Sequence, residues 1–423
     1  MSPENPFPTE NGVLYAEGIP FPELADRYGT PLYVYSRAAL HEAWARYAQA
    51  LVGRNALVCY GVKANSNLAI LHEFQLLGAG FDIVSGGELE RVLAAGARAD
   101  RVVFSGVGKQ SWEIRAALAA GIKCFNIESA AELDRLADIA HEMGLVAPVS
   151  LRVNPDVDAH THPYISTGLK ENKFGVDIRE APALYRQAQQ HASLKIVGVD
   201  CHIGSQIIDL SPYLDALEKL LALMDQLHAD GIRLKHLDLG GGLGIRYTDE
   251  IAPDPAYLLN PVFKRLEAHG LSHLQLVLEP GRSLVGNAGV LLTRVEYLKR
   301  TQARNFAVVD AAMNDLMRPA LYEAWHEATP VGPRSGVALE TWDIVGPICE
   351  SGDWLARGRE LPLEQGDLLA IRSAGAYGFS MSSQYNTRPR AAEVLVDGQN
   401  SYLVRPRETI RELFASERIP RHG

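Results

Sequence analysis

The stretch "ALVCYGVKANSNLAILHEFQLLGAGFDIVSGGELERVLAAGARADRVVFSG" (residues 56–106) decides the fold. Three short runs rich in β-branched and aromatic residues, at 56–63, 81–85 and 102–106, are separated by Leu- and Ala-rich segments of helical period, one of them starting at Gly86. Parallel strands cannot be joined by a tight turn and need a crossover, so this alternation is a repeating β/α unit. Five more strand-like runs follow: "KCFNIES" (123–129), "VSLRVN" (149–154), "IVGVDCHIG" (196–204), "LKHLDLGGG" (234–242) and "LQLVLEP" (274–280). Between them lie helical stretches such as "SPYLDALEKLLALMDQLHADG", where Ser211 and Pro212 read as N-cap and first turn. Eight such units close on themselves, so the predicted fold class is α/β, a (β/α)8 barrel over residues 36–285.

Beyond residue 286 the long helices stop and strand-like runs separated by turns take over. "VLVDGQNSYLVR" (394–405) has a hairpin signature, with Asp397 and Gly398 near its turn. A second, β-rich domain over 286–423 is therefore expected. The sequence contains neither an internal repeat nor a low-complexity segment.

With 423 residues, a barrel plus a smaller domain is the natural division. The 47% hydrophobic and 22% charged content is that of an ordinary globular protein. A formal net charge of -10 argues against a nucleic-acid partner, which needs a basic face. No apolar run reaches the roughly 18 residues of a membrane span, and "MSPENPFPTENG" lacks the basic start and apolar stretch of a signal peptide. A cytoplasmic protein without a membrane partner is the expectation. Cys59, Cys124, Cys201 and Cys349 form no C-x-x-C pair, so neither a disulfide framework nor a metal site is indicated. The first three sit in strand-like runs, whereas Cys349 lies in "GPICESGD", between a strand-like run and a turn.

In such a barrel the chemistry gathers at the C-terminal strand ends. Lys63 ends the first strand, Asp82 lies in the second, His202 and Ser205 end the sixth, Gly240, Gly241 and Gly242 end the seventh and Glu279 ends the eighth. Each has a plain structural reading: Lys63 snorkels to solvent, the glycines make a tight turn, His202 is a satisfied core histidine and Glu279 an ion-pair partner. The glycines lack the G-x-G-x-x-G spacing of a dinucleotide site. After strand seven, however, backbone N–H groups commonly cradle a phosphate. A deprotonated lysine forms Schiff bases. A phosphate together with such a lysine indicates pyridoxal 5'-phosphate, whose ring nitrogen requires a carboxylate, here Glu279, and whose ring accepts a flat aromatic neighbour, here His202.

The motifs "YGVKAN", "HIGSQ", "GGGLG", "EPGR", "CESGD" and "AYGFSMSSQYN" resemble, in order and across nearly the whole chain, the fold-type III pyridoxal-phosphate decarboxylases with an alanine-racemase-type barrel. Within them the resemblance is to the branch acting on meso-diaminopimelate to give L-lysine and carbon dioxide. Gly61 stands where the family commonly has alanine or leucine. The resemblance implies that Lys63 holds the cofactor, with Asp82, His202, Glu279 and Gly281 around it and Ser205, the glycine triplet, Arg282 and Tyr377 near its phosphate. It also implies substrate contacts from Arg282, Arg318, Tyr322, Glu350 and Tyr377. Cys349 or Lys63 would return a proton to the α-carbon. The family further implies a homodimer in which Cys349 and Glu350 complete the partner's site, and it places residues 1–35, with "GVLYAEG" and "PLYVYS", in the β domain.

The substrate follows from chemistry at the far end. Diaminopimelate carries a second amino-acid head, which needs a cation for its carboxylate and an acid for its ammonium. Arg318 with Tyr322 suits the first and Glu350 the second, although Arg318 taken alone reads equally as a surface ion-pair residue. Sister decarboxylases of ornithine, arginine or carboxynorspermidine differ in what meets that end. A racemase on the same barrel would place arginine where Glu279 stands, and a non-catalytic cofactor carrier would lack the β domain. The polar stretch "HTHPYISTGLKENKFG" (160–175) is the expected mobile cover over the site.

Overall fold

The computed structural model describes residues 6–158 and 172–420. These described residues form two compact units, one within 43–245 and 250–284, the other within 6–42, 246–249 and 285–420.

The first unit is a closed parallel barrel. Its strands are β1 (Ala56–Gly61), β2 (Gly80–Ile83), β3 (Val102–Phe104), β4 (Cys124–Ile127), β5 (Ala147–Asn154), β6 (Leu194–Asp200), β7 (His236–Asp238) and β8 (Gln275–Leu278). Each pairs with the next in parallel, and β8 pairs with β1 to close the ring. Helices return the chain between strands, and two of them start on the same device. Ser85 accepts a hydrogen bond from the Glu88 N–H and Ser129 one from the Glu132 N–H. The Glu88 and Glu132 carboxylates reach back to the N–H groups of Val84 and Glu128. These S-x-x-E boxes satisfy helix-end donors that would otherwise be orphaned and fix the chain where it leaves β2 and β4.

The eight strands stand where the sequence put them, but several end earlier than expected. Lys63 lies in a 3-10 turn, Val62–Ala64, just past β1. His202 and Ser205 follow the end of β6 at Asp200, and the glycine triplet follows Asp238. Gly240 turns with φ +67°, which takes the backbone out of the ladder. The helix expected from Ser211 spans Ser211–Ala229, with Leu210 rather than Ser211 at the cap. The serine is occupied elsewhere: the Asp209 carboxylate accepts both its N–H (2.9 Å) and its hydroxyl (2.8 Å). Of the expected cover at 160–175, residues 160–171 lie outside the described residues.

The second unit is built on a sheet in the order Trp354–Leu361, Glu340–Val345, Asn305–Val309, Gly289–Arg300, Leu32–Ser36, Ala392–Asp397, Asn400–Arg405. The last two strands form the hairpin read from "VLVDGQNSYLVR", with Asp397 paired to Asn400. Its core joins N-terminal Phe7, Leu14, Phe21, Leu32 and Val34 to Val290, Leu292, Val394 and Val396. Burial of such side chains stabilises by roughly 1.5–3 kcal/mol each, enough to hold the N-terminal segment from Phe7 onto a sheet whose other strands come from residues 289–405. Among the described residues no helix is long and apolar enough to cross a membrane.

Candidate active site

Strand parity builds the site. Leu57, Cys59, Val103, Cys124, Val197 and Val277 form an apolar cluster inside the barrel. Side chains alternate between faces, so the residue two places further along a strand points inward again. There the character changes: Ser105 follows Val103, Asn126 follows Cys124 and Glu279 follows Val277. These three meet, with Glu279 Oε1 accepting from Ser105 Oγ and Asn126 Nδ2, both at 3.4 Å. The apolar layer fills the lower barrel, and a polar layer lies over it at the C-terminal strand ends, where this fold places chemistry.

Glu279 does not stand alone. Asp200, Asp238 and Glu279 are all buried, and one carboxylate oxygen from each lies within 4.8 Å of the others. At an effective dielectric of about 20, two full charges at that distance repel by about 3.5 kcal/mol. Burial adds to this, so the cluster binds protons. Burial, then Asp238, Asp82 and Asp200, push the Glu279 carboxyl well above its ordinary range. Burial pushes Asp238 up to about 7, against a lowering hydrogen bond from the Gly240 N–H.

Lys63 donates from Nζ to Asp82 Oδ2 at 2.8 Å. The Asp82 side chain is wholly buried, while that of Lys63 is 38% exposed, so the amine is anchored yet open to a reactant. This combines the two sequence readings: the stem leads out of the barrel, and the head stays paired. Asp82 Oδ1 has no hydrogen-bond partner among the described residues. An alanine Cβ at Gly61 would lie 3.6 Å from Glu279 O and Gly281 Cα, an ordinary contact, so the glycine there is no structural requirement.

Around this centre run the loops after β6, β7 and β8. Gly241 N–H donates to His202 Nδ1 at 3.1 Å, which leaves the proton of the neutral ring on Nε2. Burial, with the nearby cations Arg152 and Lys63, holds the His202 ring neutral by lowering its pKa well below the usual value. Arg282, buried, donates to Ser205 Oγ at 3.0 Å, which places a guanidinium and a hydroxyl side by side. All three glycines are obligatory: a Cβ on Gly240, at φ +67°, would sit 2.8 Å from Cys201 O. A Cβ on Gly241 would sit 2.1 Å from Glu279 O, and one on Gly242, at φ +110°, would sit 2.3 Å from Gly204 O.

The other expected residues belong to the second unit. Arg318 and Tyr322 open and close the short helix Arg318–Tyr322. Arg318 is buried, with its Nη1 2.9 Å from His326 Nε2, and so is not a surface ion-pair residue. Cys349 is exposed, and its N–H donates to Asn386 Oδ1. Glu350 accepts from the Tyr385 hydroxyl. Asp353 ties this turn down by accepting from the N–H groups of Ile348 and Met313, both at 2.7 Å. Tyr377 is held at φ +56°, in the left-handed region that a non-glycine residue seldom adopts. Asp200, Asp238, Asn126, Ser105, Tyr247 and His326 were not foreseen from the sequence.

The barrel residues fit pyridoxal phosphate. A paired, accessible lysine is available for its carbonyl, the buried Glu279 carboxyl for its ring nitrogen, and a hydroxyl, a guanidinium and a glycine loop for its phosphate. The class so defined is a barrel enzyme that transforms amino acids with this cofactor. Residues 37–286 match the family model described as "Pyridoxal-dependent decarboxylase, pyridoxal binding domain". Diaminopimelate decarboxylase of Pseudomonas aeruginosa is 59% identical over 98% of this chain and 99% of its own. Among solved structures, diaminopimelate decarboxylase from M. jannaschii in co-complex with L-lysine is similar at a TM-score of 0.94, with 39% identity and 99% of both chains covered. The Helicobacter pylori enzyme complexed with L-lysine gives 0.90, with 42% identity over 94% of this chain and 98% of that one. This chain belongs to the diaminopimelate decarboxylases.

The carboxylate cluster has a measurable consequence for stability. The folded-state pKa of Asp238 is above its unfolded value, so between about 4 and about 7 the native chain binds the extra proton, and the stability that this contributes is lost as pH rises. His202 and His236, whose burial lowers their pKa, act with the opposite sign over the acidic part of that range. The difference between parent and Asp238→Asn cancels the histidines and reports Asp238 together with the lift it gives Glu279. Urea midpoints should show the variant gaining on the parent from pH 4.5 to 7.5, by up to about 4 kcal/mol. A difference that does not vary with pH would place no titrating proton on Asp238.

Proposed function

We propose that this chain decarboxylates meso-2,6-diaminopimelate to L-lysine and carbon dioxide with pyridoxal phosphate, the last step of lysine biosynthesis. The observation that carries this reading is the Lys63–Asp82 pair at the mouth of a barrel in which the buried Glu279 carboxyl is met by Ser105 and Asn126. The cofactor, when bound, supplies a carbonyl carbon for the amine and an electron sink for the pair left behind by carbon dioxide.

The chain's own groups do the rest. Lys63 Nζ would hold the cofactor, and Asp82, 2.8 Å away, would stabilise the ammonium form of that amine. Glu279 would serve the ring nitrogen, where charge is taken up. The neutral His202 ring would border the cofactor without adding charge. Arg282, Ser205 and the glycine loop bind the phosphate, joined by Gly281 and Tyr377. Cys349 or Lys63 delivers a proton to the α-carbon, which replaces the departing carboxylate. Arg318 and Tyr322 bind the distal carboxylate and Glu350 the distal ammonium.

The protein is further proposed to be a cytoplasmic homodimer in which Cys349 and Glu350 serve the partner's site. Their exposure supports that arrangement.

The deciding experiment offers meso-diaminopimelate, ornithine and arginine in parallel to the parent and to Arg318→Gln, following carbon dioxide release. Turnover of diaminopimelate alone is expected. Losing a charge-assisted contact of about 1.5–3 kcal/mol should raise KM by roughly 10- to 100-fold in the variant. Release only from ornithine or arginine would overturn the substrate while leaving the role of Lys63 in place.

A further inference from the structure

We propose that Tyr385 and Asn386 are positioning residues that hold the Cys349–Glu350 pair like a clip. They present the Glu350 carboxylate, oriented but not neutralised, to an ammonium group at the far end of the substrate. The proposal rests on the reading of Glu350 as a substrate contact. Every residue of the clip belongs to the second unit of one chain, so it acts whichever subunit's site the pair serves.

The turn Tyr385–Thr387 meets both members of the pair. Asn386 Oδ1 accepts from the Cys349 N–H at 3.2 Å, and the Tyr385 hydroxyl donates to Glu350 Oε1. The backbone there takes an uncommon course, with Asn386 at φ +54° and Thr387 at φ +56°. Asparagine tolerates the left-handed region, but a β-branched threonine is a true outlier there, and such strain persists only where the surroundings over-determine it. Here they do. Buried Asn314 grips the turn from both sides: it accepts from the Ser383 N–H at 2.9 Å and from Arg388 Nε at 3.2 Å, and its own Nδ2 donates to Ser383 O at 3.3 Å. The adjacent Met313 N–H donates to Asp353, the buried carboxylate that also holds Ile348, next to the pair. Two neighbouring residues, Met313 and Asn314, thus register one loop against the other.

The choice of a phenol is informative. Glu350 is exposed and has no cationic partner among the described residues. A lysine or arginine in the place of Tyr385 would pair with the carboxylate and cancel its charge. A tyrosine hydroxyl donates one hydrogen bond to Oε1 and leaves the charge in place, and with only two side-chain torsions it does so at low entropic cost. Asn386 fixes the main chain of the same pair, so both the path of the turn and the direction of the carboxylate are set. The ligand so selected carries an ammonium beside its distal carboxylate, and an acid lacking that amine gains nothing from the clip.

The test measures calorimetric binding of two ligands to the holoenzyme: L-lysine, which has that ammonium, and ε-aminocaproate, the same chain without it. Tyr385→Phe removes the hydroxyl alone, and Asn386→Gly removes the side-chain acceptor while tolerating the left-handed turn. Each should weaken L-lysine binding by about 5-fold or more and leave ε-aminocaproate, the control for folding, within about 2-fold. In a Glu350→Gln background Tyr385→Phe should cost less than about 2-fold for either ligand, because the charge it orients is gone. Equal weakening of both ligands, an unchanged L-lysine affinity in either single variant, or an undiminished loss on top of Glu350→Gln would overturn the proposal. A Glu350→Gln chain that binds L-lysine as the parent does would overturn instead the reading of Glu350 as a substrate contact.

Discussion

Lys63→Ala should abolish decarboxylation, lowering kcat by at least about 10²- to 10⁴-fold, the range associated with a positioned proton-transfer group. The larger part of the loss is chemical rather than structural. Lys63 is 38% exposed, but Asp82 is wholly buried, so removing the lysine also leaves a buried carboxyl without that partner and lowers stability somewhat. Two readouts separate these effects. The variant should still melt as a folded protein, below the parent, and borohydride should no longer fix pyridoxal phosphate to the chain. Added methylamine should restore a measurable fraction of turnover, because Asp82 and Glu279 remain in place to receive an amine. Mixing Lys63→Ala with Cys349→Ala chains after dissociation tests the dimer: with shared sites, random reassociation gives half heterodimers, each with one intact site, and about a quarter of parental activity. Activity that stays at the level of the separate variants would confine each site to one subunit.

The barrel was legible because β/α alternation is a local signal repeated eight times, and each repeat confirms its neighbours. The strand ends were harder, since a ladder stops where its partners run out, a property of the neighbouring strand and not of the residue itself. Lys63 and Glu279 were visible as charges at apolar strand ends. Asp238 and Asp200 lay in equally apolar runs, "HLDL" and "VGVDC", and were passed over. Parity would have found Asp238. Counting in twos from the apolar interior residues marks Ser105, Asn126 and Glu279 as inward, and two residues before Gly240 on β7 stands Asp238.

Asp200 could not have been found by counting alone, because the register shifts between Ile196 and Gly198 where β6 meets β5. His326 carries no sequence signal of its own. Its contact with a guanidinium depends on the short helix Arg318–Tyr322 delivering one to it, and Tyr247, a residue about 80 positions earlier, covers the face of that guanidinium. Contacts of that sequence separation are set by the fold and leave no trace in composition or spacing.

Glu279→Gln should lower kcat by roughly 10²- to 10³-fold, the cost of removing one preorganised group from the place where charge develops, and should leave KM nearly unchanged. The same substitution should make the protein more stable at alkaline pH. Burial, then Asp238, Asp82 and Asp200, all raise the Glu279 pKa, so wherever the unfolded chain would ionise this carboxyl, folding carries a penalty that a permanently neutral amide does not. The amide N–H group can also donate to Asp238 or Asp200. Activity and stability therefore move in opposite directions, as they do when a site is kept at the expense of the fold. Melting temperatures at pH 8 alongside kcat settle the matter. A variant that melts lower and turns over more slowly would make Glu279 a structural residue, and one with undiminished kcat would remove it from the chemistry altogether.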